Sequence, residues 1–128
     1  MSYYFGKTLT LDFEDAVRRT IEVLKTEGFG IITDIDVKDT LKKKINVDFR
    51  NYRILGACNP TLAYEALQLD DKVGTMLPCN VVVQDLGGGN VEIAAIDPVA
   101  SMQAIENPEL KDAAGKVQAK LRKVIENL

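Results

Sequence analysis

Three of the four prolines in this 128-residue chain directly follow Asn or Asp: Asn59-Pro60, Asp97-Pro98 and Asn107-Pro108. Each pair has the chemistry of a helix start. The Asx side chain accepts a hydrogen bond from a first-turn amide, and proline at the first helical position gives up a donor that has no partner there in any case. Helices are therefore predicted over 60–69, 98–105 and 108–128. The last carries Leu110, Ala113, Ala114, Val117, Leu121, Val124, Ile125 and Leu128 as one apolar stripe long enough to cover a sheet. A fourth helix starts at Asp12, where Asp15 completes an acidic variant of the capping box, and runs to Gly28 with Val17, Thr20, Ile21 and Leu24 at helical spacing.

Between these starts lie runs of β-branched and aromatic residues. "YYFGKTLTL" reads as a first strand. "FGIITDIDV" reads as a second, placing Phe29, Ile31, Thr33, Ile35 and Val37 on one face and Asp34 and Asp36 on the other. An amphipathic turn of helix over Val37, Leu41 and Ile45 leads to a third strand, Tyr52 to Cys58. A fourth runs around Leu77 to Asp85, and Gly87-Gly88-Gly89 turns it into a fifth, Asn90 to Ile96. The order β-α-β-β-α-β-β-α, with a minor helix before the last, predicts an α+β domain of two layers, helices packed on a mainly antiparallel sheet, with residues 1–128 forming one domain. Ile31-Ile32, Val81-Val82-Val83 and Ile93-Ala94-Ala95-Ile96 are apolar at successive positions, which predicts that both sheet faces are covered. The helices are too few for both, so a second copy in a two-fold homodimer is expected on the remainder.

Charge and composition exclude several functions. A formal net charge of −3 offers no basic surplus for nucleic acid. Lys42-Lys43-Lys44, the sole basic run, sits beside Asp36 and Asp39 and reads as a solvated helix face. "MSYYFGKTLT" has neither the basic start nor the apolar core of a signal peptide or membrane span, so a cytoplasmic location with free thiols is expected. The chain contains no histidine, which removes the usual general base and the commonest zinc ligand.

The two cysteines stand in matching contexts, Cys58-Asn59-Pro60 and Pro78-Cys79-Asn80, each at the edge of an apolar segment. Two readings of Cys58 stay open. As the last strand residue before a helix start it is placed for a reactive or ligand-contacting thiol; as a free cysteine it equally fits a small buried hydrophobe. Cys79 reads more readily as the latter. Asn59 is expected to cap, and Asn80 to bond a nearby loop or project into an opening at the strand ends, where Pro78 fits a strand start. No metal is expected: a helix separates the two thiols, and were their strands parallel the sulfurs would lie at opposite ends of the sheet. Gly87-Gly88-Gly89 lacks the Lys-Ser/Thr of a phosphate loop, and Asp34 with Asp36 reads as solvated surface.

"ILGACNPTLAYEAL", "VGTMLPCNVVV" and "AIDP", in that order, resemble the bacterial and archaeal domain-of-unknown-function family 302. The resemblance implies a small α+β fold with a curved antiparallel sheet, similar in layout to TATA-binding-protein-like domains, and frequent dimers. It carries over Cys58, Asn59, Pro60, Pro78, Cys79 and Asn80 as candidate site residues, and it implies no reaction and no cofactor. The expected function is a homodimeric binding module for a small apolar or thiol-reactive ligand near the two Cys-Asn segments. A thiol-dependent enzyme or redox protein using Cys58, and an interaction domain without a ligand, are the alternatives.

Overall fold

Every Asx-Pro pair does begin a helix, and each Asx side chain also reaches a second helix. The computed structural model describes residues 2–128 as β1 (Tyr4–Thr10), α1 (Phe13–Thr26), β2 (Gly30–Asp36), α2 (Val37–Ile45), β3 (Tyr52–Cys58), α3 (Pro60–Leu69), a 3₁₀ turn (Val73–Met76), β4 (Cys79–Gly87), β5 (Asn90–Ile96), α4 (Pro98–Ser101) and α5 (Pro108–Glu126). Asn59 accepts from the Leu62 amide, Asp97 from that of Val99, and Asn107 from those of Glu109 and Leu110. Asn59 Nδ2 then donates to the Glu27 carbonyl beyond α1, and Asn107 Nδ2 to the Leu69 carbonyl that ends α3, both over a long 3.5 Å. Asp97 receives Gln118 Nε2 of α5 at 3.0 Å. The expected minor helix over 98–105 is shorter, ending at Ser101.

The strands form one curved sheet in the order β1-β5-β4-β3-β2, antiparallel at every neighbouring pair. Helices α1 and α5 pack on one face. There Leu55, Val81, Val83, Ile93 and Ala95 of the sheet meet Ala16, Val17, Leu24, Leu121 and Val124, all buried. A smaller apolar cluster, Ala66, Val73, Met102, Leu110 and Ala114, joins α3, the 3₁₀ turn and α4 to the first half of α5. Lys7 of β1 donates to the Glu126 carbonyl at 3.3 Å, placing a cation where the α5 dipole favours one.

Helices do not cover both faces, as their small number leads one to expect. The register sets a row Gly6, Ala94, Val82, Ile54, Ile35 across all five strands on the face opposite α1 and α5. Beside it runs Thr8, Glu92, Gln84, Tyr52, in which Gln84 donates to Glu92 at 3.0 Å and receives Arg50 Nε at 2.9 Å. The apolar runs are continuous because one alternate set is the core and the other is this uncovered stripe. Short α2 joins β2 to β3 and buries no residue.

A bulge between Ile31 and Thr33 corrects the expected faces of β2. The extra residue, Ile32, shifts the alternation, so Thr33 and Ile35 lie on the open face while Asp34 stands opposite Leu55 on the helix face. Asp34 is consequently paired and not simply solvated: it holds Arg53 in a bidentate contact, Nε to Oδ1 at 2.8 Å, with Glu14 of α1 3.7 Å from the same guanidinium. Asp36 caps α2 through the Asp39 amide at 3.0 Å.

The hydrogen bond from Arg53 holds the Asp34 carboxyl below its ordinary 3.8, against a smaller opposing effect of burial. A carboxyl whose native pKa is depressed stabilises the fold above its unfolded value and loses that contribution as pH falls through the native one. Asp34 is 38% exposed, so solvent screening keeps the effect small. Asp34→Asn is expected to lower the melting temperature by roughly 2 °C at pH 7. Thermal melts across pH should show that difference closing as pH falls below 3.8.

Candidate functional site

Antiparallel pairing of β3 with β4 sets Ala57 opposite Cys79. Cys58 and Cys79 therefore lie at the same end of the sheet, and the parallel arrangement that would have put them at opposite ends does not occur. Both are free thiols. Between this sheet end and helices α3 and α5 is a cavity of about 40 Å³, walled among others by Phe29, Ala57, Leu62, Ala66, Leu110 and Ala114. Cys58, Asn59, Pro78, Cys79 and Met102 also line it. It lies where the two apolar clusters meet, lined by residues of both.

The six sequence-predicted residues divide into three groups. Cys58, Asn59, Pro78 and Cys79 surround the cavity. Pro60, the first residue of α3, is exposed and does not line it. Asn80 is exposed and belongs to the open sheet face, in a concavity shared with Tyr3, Tyr4, Tyr52, Gln84 and Glu92. Pro78 follows a cis peptide bond and its ring lies over Gly56, where an added Cβ would come within 2.7 Å of Cγ and would collide with Thr33 Oγ1. Gly56 is thus needed for close approach of Pro78. Gly28 is needed for two reasons: its φ is +84°, and a Cβ there would stand 2.9 Å from Asn59 Nδ2.

The two thiols differ chemically. Cys79 is 7% exposed, and burial pushes its thiol up to about 11, with the nearby Cys58 adding to the shift. It is a protonated, weakly nucleophilic group at neutral pH. Cys58 is half-buried. Of the first-turn positions beside it, Pro60 has no N–H and the Leu62 amide is bonded to Asn59 Oδ1 at 3.3 Å. Asn59 is thus capping the helix, as expected, and its amide group is committed at both ends. Met102 and the small residues of α5 that complete the wall were not singled out in the sequence. Their signal was present as Ala113 and Ala114 in the stripe, where small side chains leave space between packed elements.

Native-state alkylation with iodoacetamide at pH 7.5 should modify Cys58 first. Cys79 is expected to react about 100-fold or more slowly than it does once the chain is unfolded, because it is buried and so little thiolate is present at its raised pKa. Peptide mapping of the labelled protein checks the order, and equal labelling of both thiols would contradict it.

Among the described residues, no helix is long and apolar enough to cross a membrane, and no group of three or more His, Cys, Asp or Glu residues is arranged to hold a metal ion. The crystal structure of an uncharacterized conserved protein, DUF302, from Bacillus stearothermophilus superimposes with a TM-score of 0.89 at 28% sequence identity, covering 98% of each chain. No curated protein matches. The model of the family described as Domain of unknown function DUF302 matches residues 5–128. The chain therefore belongs to the DUF302 family.

Proposed function

We propose that the protein is a binding module whose site is the cavity beneath the two Cys-Asn segments. The observation that carries this reading is the convergence of both segments on one apolar-walled space. Apolar walls with a few polar groups at one end are the usual make-up of a small-molecule site. At about 40 Å³ the space is smaller than the roughly 150 Å³ that admits benzene. It suits a group of a few atoms, such as the end of a short alkyl chain or a small thiol-reactive head beside Cys58. A thiol enzyme is less well supported. The chain has no histidine to act as base, and Cys79 is held protonated by burial.

Short n-alkanols and n-alkyl aldehydes serve as probes. A guest that prefers the native state raises the melting point, by about 10 °C at concentrations about 100-fold above its dissociation constant. Ala66→Leu, which fills the cavity wall, should abolish the response while preserving the fold by circular dichroism. A melting point that no probe raises, or an undiminished response in Ala66→Leu, would contradict the reading.

A second copy of the chain on the open sheet face is the accompanying proposal. Five strands at about 4.8 Å spacing and seven residues at about 3.3 Å give a footprint of roughly 550 Å² before side-chain relief, close to what one partner contributes to a small specific interface. The apolar row through Ala94, Val82 and Ile54, flanked by the polar row of Gln84 and Glu92, has the centre and rim of such a surface. Sedimentation equilibrium at micromolar concentration is expected to give twice the chain mass, and Val82→Lys half of that. A wild-type mass of one chain would refute it.

A further inference from the structure

We infer that the occupant of this cavity is the end of an unbranched alkyl chain with a neutral, hydrogen-bonding head, and that the rest of the chain lies in an adjoining cleft. The inference rests on the cavity being the binding site and names its class of ligand. The cleft has a volume of about 190 Å³, and Pro78, Cys79, Pro98 and Met102 line it and the cavity alike. Its remaining lining includes Met76, 36% exposed, and the exposed Asn80 and Ser101. Strand alternation turns Asn80 and Ile96 to the open side of the sheet and Cys79 to the helix side, so the cleft passes round the ends of β4 and β5.

Size and shape select the tail. A space of about 40 Å³ takes only the last few atoms of a ligand and excludes a ring or a branched group. The remainder must leave through a wall, and the shared wall leads to the cleft. Two of its four residues are prolines with closed rings, and a cysteine side chain has one rotatable bond. Methionine has three and adapts to irregular gaps. Rotation of the buried Met102 side chain is therefore the movement that joins the two spaces.

Electrostatics selects the head. Among the described residues, no charged side chain lines the cavity or the cleft. A carboxylate or an ammonium leaving water there would meet no counter-ion. An alcohol or amide head has partners in Asn80 and Ser101 at the exposed end. Ser101 Oγ donates to the Pro98 carbonyl at 3.2 Å, which leaves its lone pairs to accept from such a head.

The test is NMR of the full chain carrying methionine labelled with carbon-13 at the methyl group, titrated with 1-butanol, 1-octanol, octanoate and octylammonium at neutral pH. Met102 borders both spaces and Met76 the cleft alone, so each methyl reports its own. Butanol should shift the Met102 methyl, and octanol both. Each methylene that enters should tighten binding about fourfold, and the charged chains should bind roughly 10-fold or more weakly than octanol. Ser101→Phe, at an exposed position, obstructs the cleft and should remove the advantage of octanol while leaving butanol unchanged; Ala66→Leu should abolish both responses. Octanol that binds no more tightly than butanol, or that shifts Met102 without Met76, would overturn the extension into the cleft and leave the cavity reading standing. Charged chains binding as well as octanol would refute the neutral head. A Met102 methyl that no probe shifts would overturn this inference and the cavity reading together.

Discussion

Antiparallel pairing of β3 with β4 is the constraint on which the rest depends. Setting Ala57 opposite Cys79 brings two segments twenty residues apart to one end of the sheet. It also decides which alternate residues face α1 and α5 and which stay on the open side. Ile54, Gly56 and Val82 go one way; Leu55, Ala57 and Val81 go the other. A slip of one residue would move buried Leu55 and Val81 to the open face and bring Ile54 and Val82 under the helices. The surrounding hydrogen bonds reinforce the chosen register. Arg53 is held by Asp34 across the β2 side of the same strand, and Arg50 by Gln84 across the β4 side.

Helix starts then determine where the layers meet. Asn59, Asp97 and Asn107 each cap a helix and each touch another: the end of α1, the middle of α5 and the end of α3. A side chain that is capping cannot move without uncapping, so these contacts hold the helix ends at defined places over the sheet. The two apolar clusters that result are adjacent but separately organised. One is dominated by the sheet with α1 and the second half of α5, the other by α3, α4 and the 3₁₀ turn. The cavity is the seam between them, a consequence of how the chain is punctuated.

Much of this was legible because it depends on neighbours in sequence. Caps, the φ of Gly28, and the bounds of β3, α3 and β5 follow from residues within a turn or a strand of one another. The mainly antiparallel character of the sheet was legible from the element order, whereas the direction of β4 against β3 stayed open, since nothing local distinguishes a parallel from an antiparallel return after α3. The Ile31/Thr33 bulge was equally hidden: period-two reading of β2 assumes no extra residue, and "GIITDID" alternates acceptably with or without one. Continuous apolar runs indicated two apolar faces correctly. Periodicity carries no information on whether a partner covers the second, because an interface and a core have the same local composition. Of the site, the cysteine segments were visible and the wall supplied by Met102 was not, for it comes from a residue far along the chain.

The matching Cys-Asn motifs do not act as matching units. In the first, the asparagine is architectural: Asn59 Oδ1 closes the α3 amide and Nδ2 reaches back to Glu27, a contact that leaves no room for a side chain on Gly28. In the second, Asn80 lies on the opposite side of the sheet from Cys79, as strand alternation requires. The polar halves of the motifs are thus drawn apart, one into a cap and one onto the open face, while both cysteines border the same cavity. Pro78 packs over Gly56 and directly precedes β4, where no ladder donor is needed. What lines the cavity at this end of the molecule is therefore cysteine and apolar side chains, with the Asn59 amide committed to the cap and to Glu27.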